Sequence, residues 1–148
     1  MDGQQFCYKY PHSAVATDCV IFGEENNILK VLLVRRRKEP FKDAWALPGG
    51  FLEIDETARV GALRELLEET GVVPITFDQL HTYSELDRDP RERVISITYI
   101  GTAMIRDVVG EDDAAEARWW NLKHLPVLAF DHQKILNDAL KKHFADEV

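Results

Sequence analysis

The stretch "GFLEIDETARVGALRELLEETGV" (residues 50–72) decides the fold of this chain. After Thr57, apolar residues recur three and four positions apart, which is the spacing of an amphipathic helix: Val60, Leu63, Leu66 and Leu67. Thr57 is suited to cap the start of that helix, and Gly71 to end it in a left-handed conformation. The segment therefore predicts a helix from Thr57 to Thr70.

Three glutamates crowd one edge of this predicted helix, although like charges three or four residues apart repel each other. At 3.6 residues per turn, Glu65 and Glu69 lie ~40° apart around the axis, and Glu65 and Glu68 ~60° apart. A solvated helix face would normally interleave lysines, but residues 63–71 contain none, and their single arginine, Arg64, can pair with Glu68. Carboxylate oxygens are the ligands that Mg²⁺ prefers. The crowding therefore indicates a metal site.

Length and composition are those of an ordinary globular protein. The chain has 148 residues, 45% hydrophobic and 30% charged, which suits a single domain over residues 1–148. No apolar run approaches the ~18 residues of a membrane span, and the first residues do not resemble a signal peptide. Two cysteines, Cys7 and Cys19, do not make a disulfide framework. We expect a cytoplasmic protein with no membrane partner.

The net charge of −8 argues against a general nucleic-acid binder, which needs a basic face to displace counterions from phosphates. We therefore expect no nucleic-acid partner. The same charge still allows a small anionic substrate, because a divalent metal and nearby arginines can reverse the sign within one pocket.

The rest of the chain alternates strand-like segments with turns. Residues 13–22 and 29–37 predict a hairpin joined by the polar turn 23–27, and residues 38–50 predict an ordered loop. Further strands are predicted at 74–86, 93–105 and 117–122, and a last helix at 131–144 with Asp131 as its N-cap. One early and one late helix predict an α/β fold, a mixed sheet between helices in an α/β/α sandwich.

A known motif is visible once the first segment is written by position. Gly50 is followed after five residues by Glu56, and after seven more by "RELLEETGV" (64–72). This resembles the Nudix box, G-x5-E-x7-R-E-U-x-E-E-x-G-U with U aliphatic, at every defined position. The stretch "WALPGGF" (45–51) and the acidic loop before a tryptophan are also similar to the family's layout. The resemblance implies the Nudix fold and metal-dependent hydrolysis of a nucleoside diphosphate linked to another moiety.

The resemblance also implies roles for residues of the box. Glu65, Glu68 and Glu69 would hold Mg²⁺ or Mn²⁺ together with the backbone carbonyl of Gly49. Arg64 would orient the glutamates, and Glu56 would support the site or help to position water.

A general base is also needed to take a proton from the attacking water. In some relatives it comes from a late loop, where the candidates here are Glu111, Asp112, Asp113 and Glu116. Asp113 and Glu116 are the residues we choose; the alternative is a solvated acidic loop.

The segment "YSELDRDPRERVISITYI" (83–100) is similar to one found in a branch of ADP-ribose pyrophosphatases. That similarity implies hydrolysis of ADP-ribose to AMP and ribose 5-phosphate, and a homodimer by analogy. A guanidinium fork matches phosphate geometry, so Arg36, Arg88 and Arg91 are candidates for contacting the substrate. The alternative for this turn is local neutralisation by its own acidic residues, which are Asp87, Asp89 and Glu92.

Two other functions use the same motif. One is a nucleoside triphosphate pyrophosphatase that cleans the nucleotide pool, which only substrate screening separates from ADP-ribose hydrolysis. The other is a regulatory Nudix domain that senses ADP-ribose for an attached DNA-binding domain. An intact box and a chain that ends at Val148 favour the enzyme over the sensor.

Overall fold

A computed structural model describes residues 4–106 and 116–146 of the chain. In those residues seven strands form one sheet, with a helix after the fourth strand and another after the seventh. The strands are β1 (Ala14–Glu25), β2 (Ile28–Arg35), β3 (Trp45–Ala46), β4 (Gly49–Phe51), β5 (Thr76–Tyr83), β6 (Val94–Thr102) and β7 (Ala117–Asn121). The helices are α1 (Ala58–Thr70) and α2 (His132–Asp146).

The sheet is mixed, and β1 lies at its centre. The order is β3-β2-β1-β6-β5, with β4 paired to β1 and β7 paired to β2. Strand β6 runs parallel to β1, and the other pairings are antiparallel. The predicted hairpin joins β1 to β2 through Asn26 and Asn27, whose positive φ values of 54° and 64° suit a tight hairpin turn.

The two helices cover opposite faces of the sheet because side chains alternate along each strand. On β1, Val20 and Phe22 pack in a cluster with Ile135 and Leu136 of α2. The intervening Ile21 packs instead in a cluster with residues of α1. The predicted α/β/α sandwich is therefore confirmed.

Helix α1 begins and ends where the sequence predicts, but its buried face differs. Thr57 Oγ1 accepts the Val60 N–H, and Gly71 has a φ of 77°. Val60 and Leu67, expected to face the core, are 55% and 52% exposed. The buried side is formed by smaller residues together with one leucine: Gly61, Ala62, Leu66 and Thr70. Small side chains bring the helix close to its neighbours, which turns the glutamate edge toward β4.

The segment predicted as a loop over residues 38–50 contains β3 and the start of β4. Strand β4 places Gly49 opposite Asp18 of β1. A Cβ on Gly49 would lie 2.0 Å from the main-chain oxygen of Thr17, so only glycine allows this close approach. The approach brings the backbone of Gly49 beside α1.

Strands β5 and β6 are shorter than the predicted spans 74–86 and 93–105. Helix α2 directly follows Asp131, the residue predicted as its cap. Within residues 4–106 and 116–146, neither helix has the length and apolarity needed to cross a membrane.

Candidate active site

Arg64 and Glu56 form the most tightly bonded pair of the site. Arg64 Nε donates to Glu56 Oε2 at 2.9 Å, and its Nη2 donates to Glu56 Oε1 at 2.6 Å. The Glu53 N–H also donates to Glu56, at 3.0 Å. These bonds from Arg64, then from Glu53, lower the pKa of Glu56 to about 2. The carboxylate of Glu56 is therefore ionised at neutral pH and fixes one edge of the guanidinium group.

The remaining edge of Arg64 faces two glutamates of α1. Its Nη1 donates to Glu65 Oε1 at 2.9 Å and to Glu68 Oε2 at 3.3 Å. Glu65 is largely shielded, with 19% of its side chain exposed, whereas the side chain of Glu68 is 61% exposed. The guanidinium group thus neutralises part of the crowded charge and sets the direction of both carboxylates.

Glu69 lies on the part of the helix edge that faces β4. The Gly49 N–H donates to Glu69 Oε1 at 2.8 Å. Burial raises the pKa of Glu69 to about 8; the Gly49 bond opposes this shift, and Glu65, Asp18 and Glu68 add to it. Among the described residues, no basic side chain forms an ion pair with this carboxyl group.

The donors along this edge suit a hard divalent cation. Carboxylate oxygens and main-chain carbonyls are the ligands that such cations take, and an uncompensated cluster of acids is the environment that one stabilises. In the described part of the chain, no three His, Cys, Asp or Glu side chains are grouped as a ready metal cage. Glu65 and Glu68 are instead directed at Arg64, so binding a cation requires their side chains to turn.

A cavity of about 340 Å³ brings Glu69 together with the predicted arginines. Gly49, Gly50 and Glu69 line it, as do Arg36, Arg88 and Arg91. Negative and positive groups therefore share one cavity, which is the arrangement needed to hold a metal-bound diphosphate.

The three arginines differ in how free they are. Arg88 has 4% of its side chain exposed and makes two bonds to the Asp131 carboxylate, at 2.8 and 3.0 Å. Arg91 is paired with Asp89, as the alternative for this turn anticipated. Arg36 donates only to main-chain oxygens, those of Pro40 and Lys38, within the described residues. Burial, then Arg91, lowers the pKa of Arg36.

Of the four candidates for the general base, the structure describes Glu116. Glu111, Asp112 and Asp113 lie outside the described residues. The carboxylate of Glu116 lies 3.1 Å from Arg118 and 3.8 Å from Arg35. The choice of Asp113 or Glu116 as base stays a prediction.

A buried polar group beside the cavity was missed in the sequence. The Leu47 N–H donates to His132 Nδ1 at 3.0 Å, so a neutral ring carries its proton on Nε2, 3.5 Å from Asp18 Oδ1. The Ser96 hydroxyl donates to Asp18 Oδ2 at 2.5 Å. Burial raises the pKa of Asp18 and lowers that of His132. The available signal was an aspartate inside the apolar run of β1.

Comparisons with known proteins identify the family to which this fold and cavity belong. The family model for the NUDIX domain matches residues 12–141. The chain is 46% identical over 132 residues to the ADP-ribose pyrophosphatase of Methanocaldococcus jannaschii, covering 89% of this chain and 76% of that protein.

Two further similar proteins are a transcriptional repressor and a NUDIX domain of known structure. The chain is 32% identical to the ADPR responsive transcriptional repressor NtrR of Acinetobacter baylyi, covering 90% of this chain and 55% of the repressor. The structure of the NUDIX domain of Shewanella oneidensis NrtR complexed with ADP ribose superposes with a TM-score of 0.84 at 32% identity, covering 90% of both chains. This chain belongs to the Nudix family. The predictions of a Nudix fold and a Nudix pyrophosphohydrolase are confirmed.

Proposed function

We propose that this protein hydrolyses ADP-ribose to AMP and ribose 5-phosphate. The observation that carries the proposal is the shared cavity, in which Glu69 and Gly49 lie together with Arg36 and Arg91. Within the described residues Glu69 forms no ion pair, and Arg36 and Arg91 each keep Nη1 free of hydrogen bonds. These groups are complementary to a metal-bound diphosphate. The 46% identity to an ADP-ribose pyrophosphatase supports the choice of substrate.

Glu65, Glu68, Glu69 and the carbonyl of Gly49 would hold Mg²⁺ or Mn²⁺. A bound divalent ion neutralises the diphosphate and lowers the pKa of a bound water. The raised pKa of Glu69, caused first by burial, supports its part in this set, because a neighbouring cation would favour its ionised form.

The other residues of the box bind or orient these groups. Glu56 holds Arg64 through two hydrogen bonds, and Arg64 directs Glu65 and Glu68. Replacing neighbours that orient metal ligands in this way typically costs about 10–100-fold in metal affinity or activity. Arg36 and Arg91 would bind the diphosphate through their N–H groups. Arg88 would act through Asp131, because its side chain is nearly fully buried in that pair.

A phosphate-release screen with Mg²⁺ tests the proposal. The panel contains ADP-ribose, NADH, diadenosine polyphosphates, sugar nucleotides and nucleoside triphosphates. A phosphatase releases phosphate from the products of the first four classes. Inorganic pyrophosphatase replaces it for the triphosphates, which a phosphatase would attack directly. We expect the highest kcat/KM for ADP-ribose. A higher kcat/KM for nucleoside triphosphates would contradict the proposal and favour the nucleotide-pool enzyme.

A regulatory role is the second candidate, because the repressor and the ADP-ribose-bound NUDIX domain resemble this chain over most of its length. The chain spans about half of the repressor's length. A sensor would bind ADP-ribose without turning it over. Calorimetry and a turnover assay on the same preparation separate the two functions: binding with no AMP formed favours the sensor.

A cytoplasmic location and a homodimer belong to the same proposal, supported by the similarity to an ADP-ribose pyrophosphatase. Light scattering at assay concentration measures the oligomeric state. A monomer there would contradict the dimer.

A further inference from the structure

Phe130 has a backbone conformation that is unusual for a bulky residue. It lies just before α2 with a φ of 53°, and Phe41, whose ring centroid is 4.8 Å away, has a φ of 62°. Side chains with a Cβ rarely adopt this left-handed region, and such residues cluster at functional sites. The fold therefore holds two aromatic rings together at a conformational cost.

The ring of Phe130 packs against cations of the cavity. The guanidinium carbon of Arg36 lies over it at 4.9 Å from the centroid, and that of Arg91 at 5.4 Å. Arg91 also lies over Phe51, at 5.0 Å. Phe130, Arg36, Arg91 and Phe51 all line the same cavity. Rings and guanidinium groups thus alternate along its wall.

Packing in the core does not account for Phe130. Neither of the two apolar clusters that join the sheet to its helices includes it. Within the described residues, its aromatic and cation–π partners are Phe41, the two arginines and His132, whose ring centroid is 5.4 Å away. The ring therefore supports polar groups of the cavity.

The guanidinium groups of Arg36 and Arg91 each use two of their three nitrogens in hydrogen bonds within the described residues. Arg36 uses Nε and Nη2 on Pro40 and Lys38, and Arg91 uses Nε and Nη2 on Asp89. Across residues 4–106 and 116–146, neither Nη1 has a hydrogen-bond partner. A guanidinium group that packs face-on against a ring keeps its edge free for an anion.

We propose that Phe130 is a positioning residue, whose ring fixes the planes of Arg36 and Arg91 so that both present Nη1 to the diphosphate of the substrate. The inference rests on the proposed function for the nature of that anion. Phe130 itself touches no reacting atom in this arrangement. Its loss therefore weakens diphosphate binding only through the arginines.

A double-mutant cycle tests this route. Phe130→Leu keeps an apolar side chain at the same strained position but removes the aromatic face, and Phe130→Met replaces it if that variant does not fold. The second background is Arg36→Lys with Arg91→Lys, which keeps both charges and removes both planar groups. The probe is inorganic pyrophosphate with Mg²⁺, titrated by calorimetry.

We expect Phe130→Leu to weaken pyrophosphate binding about 10-fold in the native background, because two arginine side chains that the ring no longer holds must be ordered when the anion binds. In the double-lysine background the same change should weaken it less than about 2-fold, because no planar group is left to position. Phe130→Tyr should restore native affinity, and Phe144→Leu, a matched change at an exposed residue of α2, should leave it unchanged. KM for ADP-ribose should rise in Phe130→Leu while kcat holds.

Equal weakening in both backgrounds would overturn the inference, because Phe130 would then act independently of the arginines. Native affinity in Phe130→Leu, or a native protein that binds no pyrophosphate, would also overturn it. The cycle does not depend on ADP-ribose as the substrate. A protein that shows the expected coupling but does not hydrolyse ADP-ribose would refute the proposed function and leave the positioning role standing.

Discussion

Replacing Glu69 by glutamine tests the electrostatics of the site without any substrate. In the folded protein burial raises the pKa of Glu69 to about 8, from an ordinary value of 4.5. The unfolded chain ionises this group near 4.5, so between 4.5 and 8 the folded state holds more protons. The free energy of unfolding of the metal-free protein therefore falls as pH rises through that window.

The size of the effect follows from 1.36 kcal/mol for each pKa unit. At pH 7 Glu69 is ionised in the unfolded chain but still mostly protonated in the folded protein. This difference lowers the free energy of unfolding by about 3 kcal/mol at most. Glutamine removes this cost, and its amide oxygen can still accept the Gly49 N–H. For a chain of this length, we expect Glu69→Gln to raise the Tm of the metal-free protein at pH 7 by about 6–12 °C.

Thermal unfolding in EDTA from pH 5 to pH 8.5 measures this directly. Glu68→Gln, an isosteric change at the neighbouring, mostly exposed glutamate, is the matched control and should shift stability by less than about 0.5 kcal/mol. Mg²⁺ at about 1,000 times its Kd should reverse the order, because it stabilises only the protein that binds it, by about 4.1 kcal/mol, which exceeds the gain from glutamine. A Tm for native protein that runs parallel to that of Glu69→Gln over the whole pH range would refute this reasoning.

Two further changes probe the architecture around the cavity. Gly49→Ala puts a Cβ 2.0 Å from a main-chain oxygen of β1, so we expect it to lower the free energy of unfolding in urea by about 3 kcal/mol. In Gly61→Ala, the control, the new Cβ meets only side-chain atoms, so the loss should be clearly smaller. Equal losses in the two variants would contradict this expectation. Asp131→Asn removes the charged partner of Arg88, whose side chain is only 4% exposed. The free energy of unfolding should therefore drop by about 3 kcal/mol. A drop under about 0.5 kcal/mol would show that solvent compensates the buried charge.

Local patterns predict the parts of this fold that local interactions create. The ends of α1 follow from Thr57 and Gly71, because an N-cap hydroxyl and a left-handed glycine act within one turn. The Nudix box predicts which carboxylates and which arginine meet, because their spacing on one helix fixes their directions. Neither the helix ends nor the grouping of these side chains depends on long-range contacts.

Long-range contacts account for what the sequence did not predict. Strands β3 and β4 have two and three residues, and they exist because β2 and β1 pair with them. The pairing of Arg88 with Asp131 had no local signal, because the two residues lie 43 positions apart along the chain. Phe130 carried no local signal either, since its role comes from arginines on two distant segments.

Direct product analysis tests the central claim most sharply. ADP-ribose is incubated with the native protein and Mg²⁺, and AMP and ribose 5-phosphate are quantified by chromatography, with EDTA and Glu69→Gln as parallel samples. The account predicts equal amounts of the two products, formed only with the metal and at a rate lowered by orders of magnitude in Glu69→Gln. Intact ADP-ribose with the native protein, or undiminished turnover in Glu69→Gln, would contradict it.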